Sequence, residues 1–345
     1  MKNKESTAIT TAFELDRTGR FAEAMETLRS ASLQGDLPAM SELAHRLLIG
    51  DRAPKSPTHA LFLLRQAAKA GEARALARLA ALTAAGAYVP QDWTQALALL
   101  GQAAAAGDPA AQGQLASLHG ATNSSNIAAE WTALAARVPL QYWLQPAPEE
   151  HLHENVRRIA ELAPAAVCSW LIERARHRLQ PALVYDSVSR ENQLHEMRSN
   201  TMALFDYANF DVVQFLVQAR MSRSCGYPMQ HFEAPMVLHY DVGQQITPHF
   251  DFIDARAADY ARQIAEHGQR MVTFLLYLND DYDGGETTFP ELGIVNRGHT
   301  GSGLYFINAH TDLSPDRRML HTGSPPTRGE KWIVSQFIVS KQLRP

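Results

Sequence analysis

The 345-residue sequence holds only two cysteines, Cys168 and Cys225, too few for a disulfide framework or a thiolate metal cage. That scarcity fits a reducing compartment, and a cytoplasmic location is expected. Basic residues do not outnumber acidic ones: 32 against 36 leaves a formal net charge of −4, so broad electrostatic capture of nucleic acid or of an anionic membrane is not expected. Long apolar runs are missing too. No stretch approaches the roughly 20 residues that span a bilayer, and the opening Met1-Lys-Asn-Lys-Glu-Ser leads into no signal-peptide core, so no membrane anchor is expected. What remains is 46% hydrophobic and 20% charged, an ordinary globular balance at a length that suggests two domains, or one domain plus a repeat array.

The first third is rich in alanine and leucine at helical spacing, and it matches itself at a fixed offset of 36 residues. Ala24, Ala60 and Ala96 correspond, as do Leu28, Leu64 and Leu100, then Ala31, Ala67 and Ala103. Gly35, Gly71 and Gly107 follow, each before an acid (Asp36, Glu72, Asp108), and then Ala39, Ala75 and Ala111 with Leu43, Leu79 and Leu115. Each unit reads as helix, Gly-acid turn, helix, with glycine ending one helix and the acid near the start of the next. Stacking such pairs buries a core that one pair cannot make alone, which predicts an α-solenoid over about residues 10–120.

From 121 to 150 the period is lost, with a break at Thr-Asn-Ser-Ser-Asn (122–126) and the Pro-rich Gln145-Pro-Ala-Pro, and a linker is expected there. Residues 151–180 place Val156, Ile159 and Leu162, then Trp170, Leu171 and Ala175, on apolar stripes and read as helical. Beyond Arg198, β-rich runs appear at Met236 to Tyr240, Met271 to Leu278, Gly303 to Ile307 and Trp332 to Val339, separated by glycine-rich turns such as Asp-Tyr-Asp-Gly-Gly (281–285). That spacing predicts a β-sandwich or barrel with helices packed on it.

Among 14 histidines, His249 stands two residues from Asp251 beside strand-like sequence. On an extended segment both project from one face, where an imidazole and a carboxylate can take adjacent corners of a metal ion. His321 is the candidate third ligand. Two histidines and one carboxylate suit non-haem Fe(II) with its open positions, with zinc as the competing metal. A second His-x-Asp, His310 and Asp312, falls in the polar segment Asn308-Ala-His-Thr-Asp-Leu-Ser-Pro-Asp-Arg-Arg, which reads as a solvated loop between strands. Ten residues after His321, Lys331 heads the run Lys-Trp-Ile-Val-Ser-Gln-Phe-Ile-Val, where a cation can pair with the far end of a dicarboxylate.

The repeats resemble the Sel-like family, related to tetratricopeptide repeats, which implies a protein-interaction surface; stabilising or orienting the second domain is the plainer alternative. Residues from about 150 to 341 resemble the prolyl 4-hydroxylase branch of the 2-oxoglutarate and Fe(II)-dependent dioxygenases. The matching segments are Glu233-Ala-Pro-Met-Val-Leu-His-Tyr-Asp-Val-Gly-Gln, Pro248-His-Phe-Asp, Arg270-Met-Val-Thr-Phe-Leu-Leu-Tyr-Leu-Asn, Gly284-Gly-Glu-Thr-Thr-Phe-Pro and Leu320-His-Thr-Gly-Ser-Pro-Pro-Thr-Arg-Gly-Glu-Lys-Trp. The resemblance implies a double-stranded β-helix, a jelly-roll barrel, over about 230–341 within an oxygenase domain at 151–342. It implies that His249, Asp251 and His321 bind iron, that Lys331 pairs with 2-oxoglutarate, and that Tyr240, Tyr277 and Thr273 contact that co-substrate. Arg198, in an Arg-Ser pair, has either a substrate contact or a structural ion pair. Fe(II), 2-oxoglutarate and O2 are the implied cofactor and co-substrates, with ascorbate as reductant and decarboxylation to succinate coupled to hydroxylation. The Asp251 carboxylate favours hydroxylation over halogenation. A prolyl residue of a protein or peptide recruited by the repeats is the expected substrate, with access shaped by a loop at 254–270. A free amino acid or other small molecule is the alternative, and an inactive scaffold or sensor is the alternative of another class.

Overall fold

The computed structural model describes residues 6–120, 130–182, 184–186, 191–193, 198–206, 208–255 and 258–343. Two units divide the chain, Met1–Val138 with Tyr207–Phe215 and Pro139–Asp206 with Leu216–Pro345.

In the first unit, α1 spans Thr7–Arg17, α2 Phe21–Leu33, α3 Leu37–Ile49, α4 Pro57–Lys69, α5 Ala73–Ala85, α6 Trp93–Ala105, α7 Pro109–Leu118 and α8 Trp131–Ala136. The starts of α2, α4 and α6 are 57 − 21 = 36 and 93 − 57 = 36 residues apart, and those of α3, α5 and α7 repeat the same interval. Each turn glycine adopts a left-handed φ, +85° at Gly35, +83° at Gly71 and +92° at Gly107, which a side chain would disfavour. The next residue caps the following helix through its carboxylate: Ala39 N donates to Asp36, Ala75 N to Glu72 and Ala111 N to Asp108. Ala24, Ala60, Ala96, Leu28, Leu64 and Leu100 are fully buried at the helix contacts, so the repeated residues are the core. The expected break at 122–126 lies outside the described residues.

The second unit carries α9 (Leu140–Leu144), β1 (Glu149–His153), β2 (Val156–Ile159), α10 (Ala165–Arg176), β3 (Gln180–Pro181), β4 (Val184–Asp186), β5 (Glu191–Gln193) and β6 (Thr201–Leu204). There follow α11 (Val212–Cys225), which begins in the first unit's residues, then β7 (Met236–Tyr240), β8 (Ile246–His249), α12 (Ala258–His267), β9 (Arg270–Tyr277), β10 (Asp283–Gly284) and β11 (Thr287–Phe289). The last strands are β12 (Ile294–Asn296), β13 (Gly303–Ile307), β14 (His321–Gly323), β15 (Pro326–Arg328) and β16 (Lys331–Val339). One sheet has the order β1-β2-β13-β9-β16-β7-β6-β3, and a smaller one has β12-β11-β14-β8. Their inner faces share a core of Leu238, Leu275, Phe289, Leu304, Phe306, Met319 and Ile333. Among the described residues no strand pairing closes the sheets on each other, so the jelly-roll is open rather than a closed barrel.

Two local readings change. Residues 149–159 form the antiparallel pair β1 and β2 rather than helix; the three-residue spacing of Val156, Ile159 and Leu162 mimics a helical stripe, but β2 is held by long-range pairing with β13. The expected access loop at 254–270 contains the helix α12, with residues 256–257 outside the described set.

Candidate active site

β8 and β14 are antiparallel neighbours, and their register sets His249 opposite His321 with ring centroids 4.2 Å apart. Asp251, just past β8, turns its carboxylate between them: Oδ1 lies 3.5 Å from His249 Nε2 and Oδ2 lies 3.4 Å from His321 Nε2. One candidate ligand atom from each of the three residues falls within 4.8 Å of the others, a set able to hold a metal ion. The tautomers suit that use. His249 Nδ1 lies 2.9 Å from the Thr247 carbonyl and His321 Nδ1 lies 3.0 Å from the Met319 carbonyl. A carbonyl only accepts, so each Nδ1 carries the proton and each Nε2 presents its lone pair toward Asp251. Burial works to raise the Asp251 carboxyl, but the neighbouring His321 and His249 and the hydrogen bond from Thr273 hold it well below the usual carboxylate range. Burial pushes His321 down to about 4, which favours the neutral, ligating form.

Across the larger sheet, β16 lies between β9 and β7 and pairs Lys331 with Tyr240. Alternation points Lys331, Ile333, Ser335 and Phe337 into one cavity, while Trp332 faces the other way and packs against His239 with ring centroids 4.3 Å apart. Lys331 is 1% exposed, and its Nζ donates to the Gly285 carbonyl at 2.7 Å. Among the described residues no carboxylate lies within ion-pair distance of it. An ammonium has three protons to place, so this cation has donor capacity to spare. Burial pushes it down to about 8, with Glu286 opposing. His249, Asp251, His321, Tyr240, Lys331 and Arg198 all line the same cavity of about 1450 Å³.

Two of the residues expected on the co-substrate, Tyr277 and Thr273, meet protein partners instead. The Tyr277 hydroxyl donates to Thr287 at 2.9 Å and accepts from Asn296 at 3.0 Å, and Gly298 leaves the ring its space, since a Cβ there would stand 2.0 Å from it. Thr273 donates to Asp251 at 2.7 Å and accepts from Asn308 Nδ2 at 2.9 Å. Both hydroxyls, expected on the co-substrate, are engaged within the protein. Asn308, Thr287 and Asn296 were not singled out by the sequence, because only tertiary pairing brings them to these hydroxyls. His310 and Asp312 stand exposed in a turn where Asp312 accepts from Ser314. A second cluster, His239, Asp241 and Glu330, has ligand atoms equally close together, but Glu330 already bonds His239 at 2.9 Å and Arg176 at 3.1 Å, so a guanidinium meets its charge.

Residues 235–339 match the 2OG-Fe(II) oxygenase superfamily, and the match contains all four of His249, Asp251, His321 and Lys331. The chain carries a 2OG-Fe(II) oxygenase domain. Relatives of this domain include the probable prolyl 4-hydroxylase 7 of Arabidopsis thaliana, 28% identical over 194 residues that cover 51% of this chain and 60% of the relative. The probable prolyl 4-hydroxylase 6 of the same plant is 30% identical over 191 residues, 50% of this chain and 64% of the relative. The chain thus spans less than two thirds of the length of these relatives. Among solved structures, a viral collagen prolyl hydroxylase from Paramecium Bursaria Chlorella virus-1 aligns with a TM-score of 0.42 at 23% identity, covering 54% of this chain and 96% of that one. A Sel1 repeat protein from Oxalobacter formigenes aligns with a TM-score of 0.26 at 35% identity, covering 32% of this chain and 85% of that one. Among the described residues, no helix is long and apolar enough to cross a membrane.

Proposed function

We propose that this protein is an Fe(II)- and 2-oxoglutarate-dependent dioxygenase that hydroxylates a prolyl residue of a protein or peptide. The observation that carries the reading is one cavity holding a two-histidine, one-carboxylate set together with a buried cation that, among the described residues, has no carboxylate within ion-pair distance. His249, Asp251 and His321 would hold Fe(II), whose chemistry is the activation of O2 with decarboxylation of 2-oxoglutarate to succinate. Lys331 supplies the charge for the far carboxylate of the co-substrate, and Tyr240, buried beside it, offers a hydroxyl proton that it keeps because burial pushes it up to about 12. Leu238 and Ile333 line the same cavity and give that pairing an apolar wall.

The prolyl substrate is supported by the plant relatives, and its recruitment by the repeats is supported by the solenoid in the first unit. Ascorbate belongs to the same reading as the reductant that returns misoxidised iron to service. A cytoplasmic location is supported by Cys168 and Cys225 both being free. The test is mass spectrometry of proteins and proline-containing peptides incubated with Fe(II) and 2-oxoglutarate. Gain of one oxygen atom on proline with the unaltered protein, and none with His249→Ala, is the expected result; oxygen gained only by free amino acids or other small molecules would overturn the substrate.

A further inference from the structure

Asn308 is fully buried and directly follows β13, the strand that pairs with the one carrying Thr273. Phe306 is the register partner of Thr273, so Asn308, two residues on, shares its face of the sheet as a diagonal neighbour. Its backbone is pinned on both sides, N–H to the Met271 carbonyl at 2.8 Å and C=O from the Asp316 N–H at 2.9 Å. The backbone that carries the side-chain amide is thus fixed at the sheet edge, and the amide itself is held by its bond to Thr273.

The proton directions in this chain follow from the acceptors. Thr273 Oγ1 and Asp251 Oδ2 are 2.7 Å apart, and an ionised carboxylate can only accept, so the single hydroxyl proton of Thr273 lies between them. Oγ1 must then receive its other hydrogen bond, which orients the Asn308 amide with its NH2 toward the hydroxyl at 2.9 Å. Without Asn308, the hydroxyl could rotate its proton elsewhere. A carboxylate torsion is broad and roughly two-fold, so an otherwise free Asp251 would sample orientations that spoil the ligand set.

Resting on the iron-site reading above, we infer that Thr273 and Asn308 are positioning residues that fix the Asp251 carboxylate for the metal, rather than contacts to the co-substrate. The polar segment that begins at Asn308 thereby serves the site through its first residue, while His310 and Asp312 remain in the solvated turn. Ligand carboxylates held by a hydrogen bond of this kind typically lose roughly 10–100-fold in metal affinity when it is removed.

The experiment titrates metal-free, full-length protein with Co(II), reading both affinity and the visible ligand-field spectrum, with thermal unfolding of the metal-free forms measured alongside. Thr273→Val should bind Co(II) roughly 10–100-fold more weakly with an altered spectrum. Thr273→Ser, which restores the donor, should recover the affinity and spectrum of the unaltered protein. Asn308→Ala should show a smaller loss than Thr273→Val. Unchanged Co(II) binding by Thr273→Val, equal losses in the Val and Ser variants, or a Val variant altered only in the 2-oxoglutarate needed to perturb the Co(II) spectrum would each overturn the inference. Failure of the unaltered protein to bind Co(II) would instead overturn the iron-site reading, and this inference with it.

Discussion

In the repeat unit, Arg46 is 1% exposed and lies between two carboxylates, Asp16 at 2.7 Å and Glu42 at 3.2 Å, while Arg78 reaches the same Glu42 at 3.3 Å. In the oxygenase unit, Lys331 is 1% exposed as well, yet among the described residues its one hydrogen-bond acceptor is a carbonyl. Burying a charge is costly unless a partner answers it, so the first arrangement is complete within the protein and the second is complete only when an anion arrives. The same contrast holds for the ligand set, where the two imidazole lone pairs face the Asp251 carboxylate, whose hydrogen bond comes from the neutral Thr273 hydroxyl. Paired buried charge marks architecture, and unanswered buried charge marks a site.

The largest effect expected from this contrast is at the metal. His249→Ala should abolish Fe(II) or Co(II) binding and turnover, while His310→Ala leaves both intact, as equilibrium metal titration would show; the reverse would move the site to the other His-x-Asp. Next, Lys331→Ala should raise the 2-oxoglutarate requirement by about two to four orders of magnitude, since a buried carboxylate that loses its cation costs roughly 3–5 kcal/mol. Steady-state KM for 2-oxoglutarate measures it, and an unchanged KM would remove Lys331 from the site.

Stability should respond with opposite sign in the two units. Arg46→Ala leaves Asp16 only the half-exposed Arg52 at 2.8 Å and Glu42 only Arg78 at 3.3 Å, and should destabilise the repeats by roughly 1–3 kcal/mol. Lys331→Met should stabilise the protein without co-substrate, because holding the ammonium at about 8 against an ordinary 10.5 corresponds to about 3 kcal/mol at neutral pH. Between about pH 8 and 10.5 the unfolded chain binds the proton that the folded protein has released, so stability gained through Lys331 rises with pH across that window. Denaturant unfolding at pH 7 and pH 10 should show that rise in the unaltered protein and not in Lys331→Met. The smallest effect is on affinity: only the charged amine pairs with a carboxylate, so KM for 2-oxoglutarate should climb as pH passes about 8.

Much of this was legible because it is local. A glycine that must turn and an acid that must cap recur with the alanines that pack, and the helix starts at 21, 57 and 93 follow from them. His249 and Asp251 share one segment, and Lys331 heads a strand whose apolar run is buried along its whole length. What the sequence hid is what pairing decides. Val156 and Ile159 have helical spacing but belong to a strand because β13 lies beside them. Thr273 and Tyr277 do share a face with the site, as alternation predicts, but alternation says nothing of where a hydroxyl finds its partner, and Asp251 and Thr287 are those partners. Asn308 looked like the start of a loop, since nothing local distinguishes a solvated amide from one buried against the neighbouring strand.

The most direct test of the central claim, that the unanswered charges are an Fe(II) and 2-oxoglutarate site, is succinate formation from 2-oxoglutarate by purified protein with Fe(II) and O2. Succinate should appear with the unaltered protein, fail with His249→Ala, and fall steeply with Lys331→Ala at fixed 2-oxoglutarate. No succinate from protein shown to hold Fe(II), or equal amounts from all three forms, would contradict it.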